Sequence, residues 1–97
     1  MSSNELDKLR DGIDDLDKKI IDLLNERAKL ANKIGIIKKK MEIPIYNPNR
    51  ESEVLKNVIS HNKGPLSETA VKRLYERIID EIRRLERESS EHEQNEK

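Results

Sequence analysis

The chain has no cysteine, no tryptophan and no phenylalanine, and its 97 residues include only two tyrosines, three glycines and three prolines. Without cysteine there is neither a disulfide framework nor a thiolate metal site. Without large aromatics, the side chains that supply most of the buried area in a small core are missing. Hydrophobic residues make up 33% of the chain, below the usual share, so a lone copy has little to bury. Charge of one sign is absent too. Charged residues reach 41%, but 20 basic and 20 acidic residues cancel, which argues against a general nucleic-acid or membrane-surface role. No apolar run approaches the about 18 residues that a membrane span needs, and no signal peptide is visible at Met1, so the expected compartment is the cytosol. His61 and His92 stand alone without ligand-spaced partners and read as surface residues rather than metal ligands.

What the chain does have is a long helical pattern. Leu6, Leu9, Ile13, Leu16, Ile20, Leu23, Leu30, Ile34, Ile37 and Met41 recur in steps of three and four, the spacing of a helix with one apolar seam. The pattern predicts a first helix over about 5–41, with Asn4 as its N-cap. Some 36 residues of it span roughly 54 Å, against a radius of gyration of about 13 Å for a compact chain of this size. The seam of such a helix needs cover from outside its own chain, and the sustained periodicity favours a second copy over disorder.

Pro44 stops the first helix, because it disfavours helical geometry at Ile43 and brings no N–H of its own. Ile43 to Tyr46 reads as an extended connector. Asn47-Pro48 starts a second helix over about 48–62, which Lys63-Gly64-Pro65 ends with a glycine cap. Ser67 caps a third over about 68–88, with an apolar stripe from Val71 through Ile79 and Ile82 to Leu85. Residues 89–97 contain no apolar side chain and are expected to be a disordered polar tail. The fold class is therefore all-α, three helices in a single domain.

Charges stand on the faces that should pack. Arg27 occupies the seam position after Leu23, and Lys38 lies eleven residues further on. That separation is three turns, so both point the same way, roughly 16 Å apart along the axis. Arg50 and Glu51 lie one turn before the apolar pair Val54-Leu55, and Glu86 borders the stripe of the third helix. A buried charge needs a partner. One reading pairs Arg27 and Arg50 with Glu51 and Glu86 in a structural network. The other makes the cations the walls of a site for a small dianion, which the planar fork of arginine suits. Arg10 is 17 residues before Arg27, rotated roughly 100° and displaced by about 25 Å. It reaches such a site only in a second copy whose first helix runs antiparallel. The run Lys38-Lys39-Lys40 reads as a solvated face.

Taken in order, these residues resemble the all-helical, AroQ-class chorismate mutases. Leu9-Arg10, Ile13-Asp14, Leu16-Asp17, Glu26-Arg27, Leu30-Ala31, Ile34-Gly35 and Lys38 look like that family's first helix. Pro48-Asn49-Arg50-Glu51 looks like its second-helix entry. The stretch from Asn62-Lys63-Gly64-Pro65 to Leu85-Glu86 is similar to the forms fused to prephenate dehydratase or to the first enzyme of the aromatic pathway. The resemblance implies an intertwined homodimer of three-helix chains, without cofactor or metal, that rearranges chorismate to prephenate. It implies that Arg27 and the partner copy's Arg10 hold the substrate carboxylates. It implies as well that Lys38 donates to the ether oxygen, that Glu51 accepts from the ring hydroxyl, and that Arg50 orients Glu51 or adds positive potential.

Three positions depart from the family pattern. Glu86 stands where many members have glutamine, and a carboxylate donates a hydrogen bond only when protonated; burial is expected to raise its pKa, with nearby cations opposing. Asn47 stands where aspartate is common, and Ile82 where a small or hydroxyl-bearing residue meets a carboxylate. The resemblance leaves three other readings open: a weakly catalytic regulatory domain that binds chorismate or prephenate, an isochorismate pyruvate lyase on the same fold, and a plain coiled-coil adaptor.

Overall fold

The structure is a computed structural model that describes the backbone of residues 2–95 and the side chains of residues 4–88. Three helices follow one another, α1 (Ser2–Lys40), α2 (Pro48–His61) and α3 (Glu68–Asn95), with no strand among the described residues. The chain divides into two compact units, Met1–Leu30 and Ala31–Lys97.

The Met1–Leu30 unit is helix throughout its described residues, and it buries nothing of its own. Leu6, Leu9, Ile13, Leu16, Ile20, Leu23 and Leu30 are all exposed, from 46% at Leu6 to 68% at Leu9. Each leucine or isoleucine in such a strip gains about 1 kcal/mol or more on being covered. Asn4 lies inside the first turn rather than at the cap, because α1 already begins at Ser2.

In the Ala31–Lys97 unit, α1 ends in a closed motif rather than by fraying. The Ile43 N–H donates to the Lys38 carbonyl at 2.8 Å and the Glu42 N–H to the Lys39 carbonyl at 3.1 Å. These are the two bonds of a Schellman cap. The motif needs a left-handed residue, and Glu42 fills that place at φ 58° where glycine is usual. Glu42→Gly is therefore expected to raise stability by up to about 1 kcal/mol, read as a higher melting temperature. An unchanged or lower value would show that the side chain is not strained there.

The Asn47 side chain caps α2 by accepting the Arg50 N–H at 3.1 Å, and Pro48 takes the first helical position. Its other end is made by Asn62, not by Gly64. Asn62 has extended geometry, donates through Nδ2 to the Leu66 carbonyl at 2.8 Å, and accepts the Gly64 N–H at 3.2 Å. One amide side chain thus satisfies the turn, and Gly64 takes its positive φ of 80° two residues later. Ser67 caps α3 as its sequence predicts, its Oγ accepting the Ala70 N–H at 3.1 Å. α3 runs on to Asn95 rather than stopping near 88, since no proline or glycine interrupts it. The side chains of 89–97, His92 among them, and the backbone of 96–97 lie outside the described residues; over 89–95 the backbone is helical where the polar composition predicted a disordered tail.

α2 and α3 pack antiparallel. Glu51 meets Arg83 at one end, while at the other Asn57, Val58, His61, Asn62, Val71 and Tyr75 line an open hollow of about 500 Å³. The buried apolar side chains among the described residues are Ala31, Val71, Ile79 and Ile82, and none of the large ones is sealed completely. Ile34, Ile37, Met41, Leu66 and Leu74 stay exposed in this unit as well. No described helix is long and apolar enough to cross a membrane.

Candidate active site

The Ala31–Lys97 unit carries Lys38 on α1, Glu51 on α2 and Glu86 on α3. Lys38, in the last turn of α1, is half-buried, and its Nζ donates to the Ile45 carbonyl at 3.0 Å. One turn earlier, Gly35 is buried against α3. A Cβ at that position would lie 3.3 Å from the Glu86 Cβ and 3.6 Å from the Glu86 Cα. Hydrogen in place of a side chain is what lets the two backbones come this close. Since Gly35 and Lys38 are three residues apart, they share a helix face, and Glu86 therefore stands beside the Lys38 side of α1. Glu86 is half-buried and engaged within the molecule.

Glu51, in the first turn of α2, is held from α3. Arg83 donates through one terminal nitrogen to Glu51 Oε2 and through the other to Asp80 Oδ1 at 2.7 Å. Its guanidinium also lies over the Tyr46 ring, 4.9 Å from the centroid. The hydrogen bond to Glu51 is the main reason its pKa is raised above the ordinary arginine value; burial opposes, and the charges of Glu51 and then Asp80 add to the rise. The Glu51 and Arg83 side chains keep 26% and 22% of their exposure, so the pair is well shielded.

Arg83 is the residue that the sequence pattern does not single out. It lies four positions beyond Ile79, at the border of the apolar stripe. Arg50, expected to orient Glu51 or to add positive potential, pairs with Glu53 on the exposed side of α2. Neighbours in a helix point about 100° apart, whereas residues three apart share a face. Hence Arg50 meets Glu53 and turns away from Glu51. The partner of Glu51 is thus Arg83, across the helices, rather than Arg50.

Ile82 is spent on the core at 8% exposure. Asn47 is exposed and serves as a cap. On the Met1–Leu30 unit, Arg27 is half-buried and Arg10 exposed. No buried side-chain nitrogen or oxygen among the described residues lacks a partner. The described residues contain no cluster of three or more His, Asp or Glu side chains placed to hold a metal ion.

Comparison with known proteins adds the family. A family model described as chorismate mutase type II matches residues 9–87. A bifunctional chorismate mutase/prephenate dehydratase of Aquifex aeolicus is 42% identical over 87 residues, which are 86% of this chain and 24% of that protein. The chain thus spans about a quarter of the length of such curated relatives. Among solved structures, a Thermus thermophilus chorismate mutase superposes with a TM-score of 0.84 at 30% identity, covering 86% of this chain and 94% of the other. A Helicobacter pylori chorismate mutase in complex with prephenate gives 0.80 at 34% identity, covering 87% and 91%.

Proposed function

This chain belongs to the chorismate mutase type II family, and from that premise we infer that it catalyses the rearrangement of chorismate to prephenate. The observation that supports the reading is the close approach of α1 to α3 at Gly35 and Glu86, one turn from Lys38, beside the bond from Arg83 of α3 that holds Glu51 on α2. The reaction is a concerted 3,3-sigmatropic shift. It breaks the ether C–O bond as a new C–C bond forms, with no covalent intermediate and no proton transfer. A protein accelerates it by holding the reactive conformer and by placing positive potential where the ether oxygen gains charge.

The residues divide those tasks. Lys38 donates from Nζ to the ether oxygen. Glu51, held by Arg83, accepts the ring hydroxyl. Arg27 and a second copy's Arg10 hold the two carboxylates. Asn47 contributes at the start of α2, and Arg50 adds positive potential from the exposed side. Ile82 forms an apolar wall. The working species in this reading is a homodimer, which the exposed strip from Leu6 to Leu30 supports. A cytosolic location suits its charge-rich, cysteine-free composition.

Glu86 acts as a second donor to the ether oxygen, which requires its protonated form. The sign follows directly: the active fraction is full below the Glu86 pKa and is lost as pH rises through it. Loss of chorismate absorbance is thus expected to be faster at about pH 5 than at about pH 8, and Glu86→Gln, an amide donor at every pH, flattens the profile. Equal wild-type rates would remove Glu86 from this role while leaving the mutase. No turnover at either pH by folded protein would overturn the mutase itself.

A further inference from the structure

We propose that Arg83 is the positioning residue that presents Glu51 to the substrate's ring hydroxyl, an inference that rests on the mutase reading above. A glutamate in the first turn of a helix has three side-chain torsions to fix, and nothing on α2 fixes them here, because Arg50 faces Glu53. Arg83 does so from across the α2–α3 interface. It takes Glu51 Oε2, which leaves Oε1 to accept a hydroxyl. Arg83 is itself held in place from two further directions. Asp80, three residues before it on α3, receives its second terminal nitrogen at 2.7 Å, and the Tyr46 ring supports the guanidinium plane.

Each terminal nitrogen thus donates to a protein carboxylate, which holds the guanidinium against Glu51 and Asp80. In this proposal its contribution to the substrate is made through Glu51 and falls on the ring hydroxyl. A second consequence is that the pair links α2 to α3 and, through Tyr46, to the connector whose Ile45 carbonyl receives Lys38. The fork geometry and the ring stacking both call for arginine rather than lysine.

The test compares chorismate with its analogue that lacks the ring hydroxyl, using the full chain. Arg83→Leu is expected to lower kcat/KM for chorismate by about tenfold while leaving the analogue within about twofold of wild type. Adding Glu51→Gln to Arg83→Leu should then cost little more with chorismate, since the two act as a unit. Arg83→Lys should recover part of the loss. Equal losses on both substrates would make Arg83 merely structural and overturn the proposal, and so would no loss on either. If circular dichroism shows Arg83→Leu unfolded, Arg83→Lys is read by the same criterion, with a hydroxyl-selective loss supporting the proposal and an unselective one defeating it. A wild-type chain that leaves chorismate untouched defeats the mutase reading; an active wild type with an unselective variant defeats the role of Arg83 alone.

Discussion

Lys38→Met is expected to slow chorismate turnover by about two to three orders of magnitude, the scale seen when one donor to a developing oxyanion is removed. Methionine keeps an unbranched side chain as far as the ε position and suits the last turn of α1, so the change chiefly removes the ammonium. The hydrogen bond to the Ile45 carbonyl is lost as well. The bond is only part-buried, so the structural cost of losing it should be modest. The loss should fall on kcat more than on KM, since the charge that Lys38 meets grows only as the ether bond breaks. Initial rates, with helical ellipticity as the control for folding, measure this. A variant within about fivefold of wild type would rule Lys38 out as the principal donor.

The second large effect concerns assembly. Leu16→Glu together with Ile20→Glu should abolish the dimer and, with it, essentially all turnover. The first thirty residues have no core of their own, and the strip that includes Leu16 and Ile20 is more than half exposed at both positions. If a second copy covers that strip, each glutamate places an unpaired charge in an apolar seam, at a cost of several kcal/mol. Sedimentation should show monomer, and the helical signal should fall sharply, because four buried apolar side chains elsewhere are a thin core. The wild type, for its part, should melt at a temperature that rises with protein concentration, as folding coupled to association requires. A helical, active, monomeric variant would mean that the strip meets no partner.

How much of this was legible beforehand depended on the range of each interaction. The three helices were, because their apolar steps are local and unbroken. Asn47 and Ser67 were, because a cap acts over three residues. The end of α2 was misread, since a Lys-Gly-Pro sequence looks like a glycine cap, while Asn62 had already closed the turn with its own amide. Asn4 was misread in the same way, because a capping residue type does not stop a helix from starting earlier. Lys38, Glu51 and Glu86 stood out as charges on faces that pack. Arg83 did not, because its partner is 32 residues away. Local spacing carries no trace of a bond across two helices, and it suggested the adjacent Arg50 instead.

The Ile45 carbonyl has a thermodynamic consequence for catalysis. It takes one of the three N–H donors of the Lys38 ammonium at 3.0 Å and leaves two for an incoming oxygen. In the proposed reaction the lysine is thus anchored before substrate arrives, and little of its rotamer freedom remains to be lost when the ether oxygen gains charge. The connector would act as a tether that keeps the donor ordered in the resting protein.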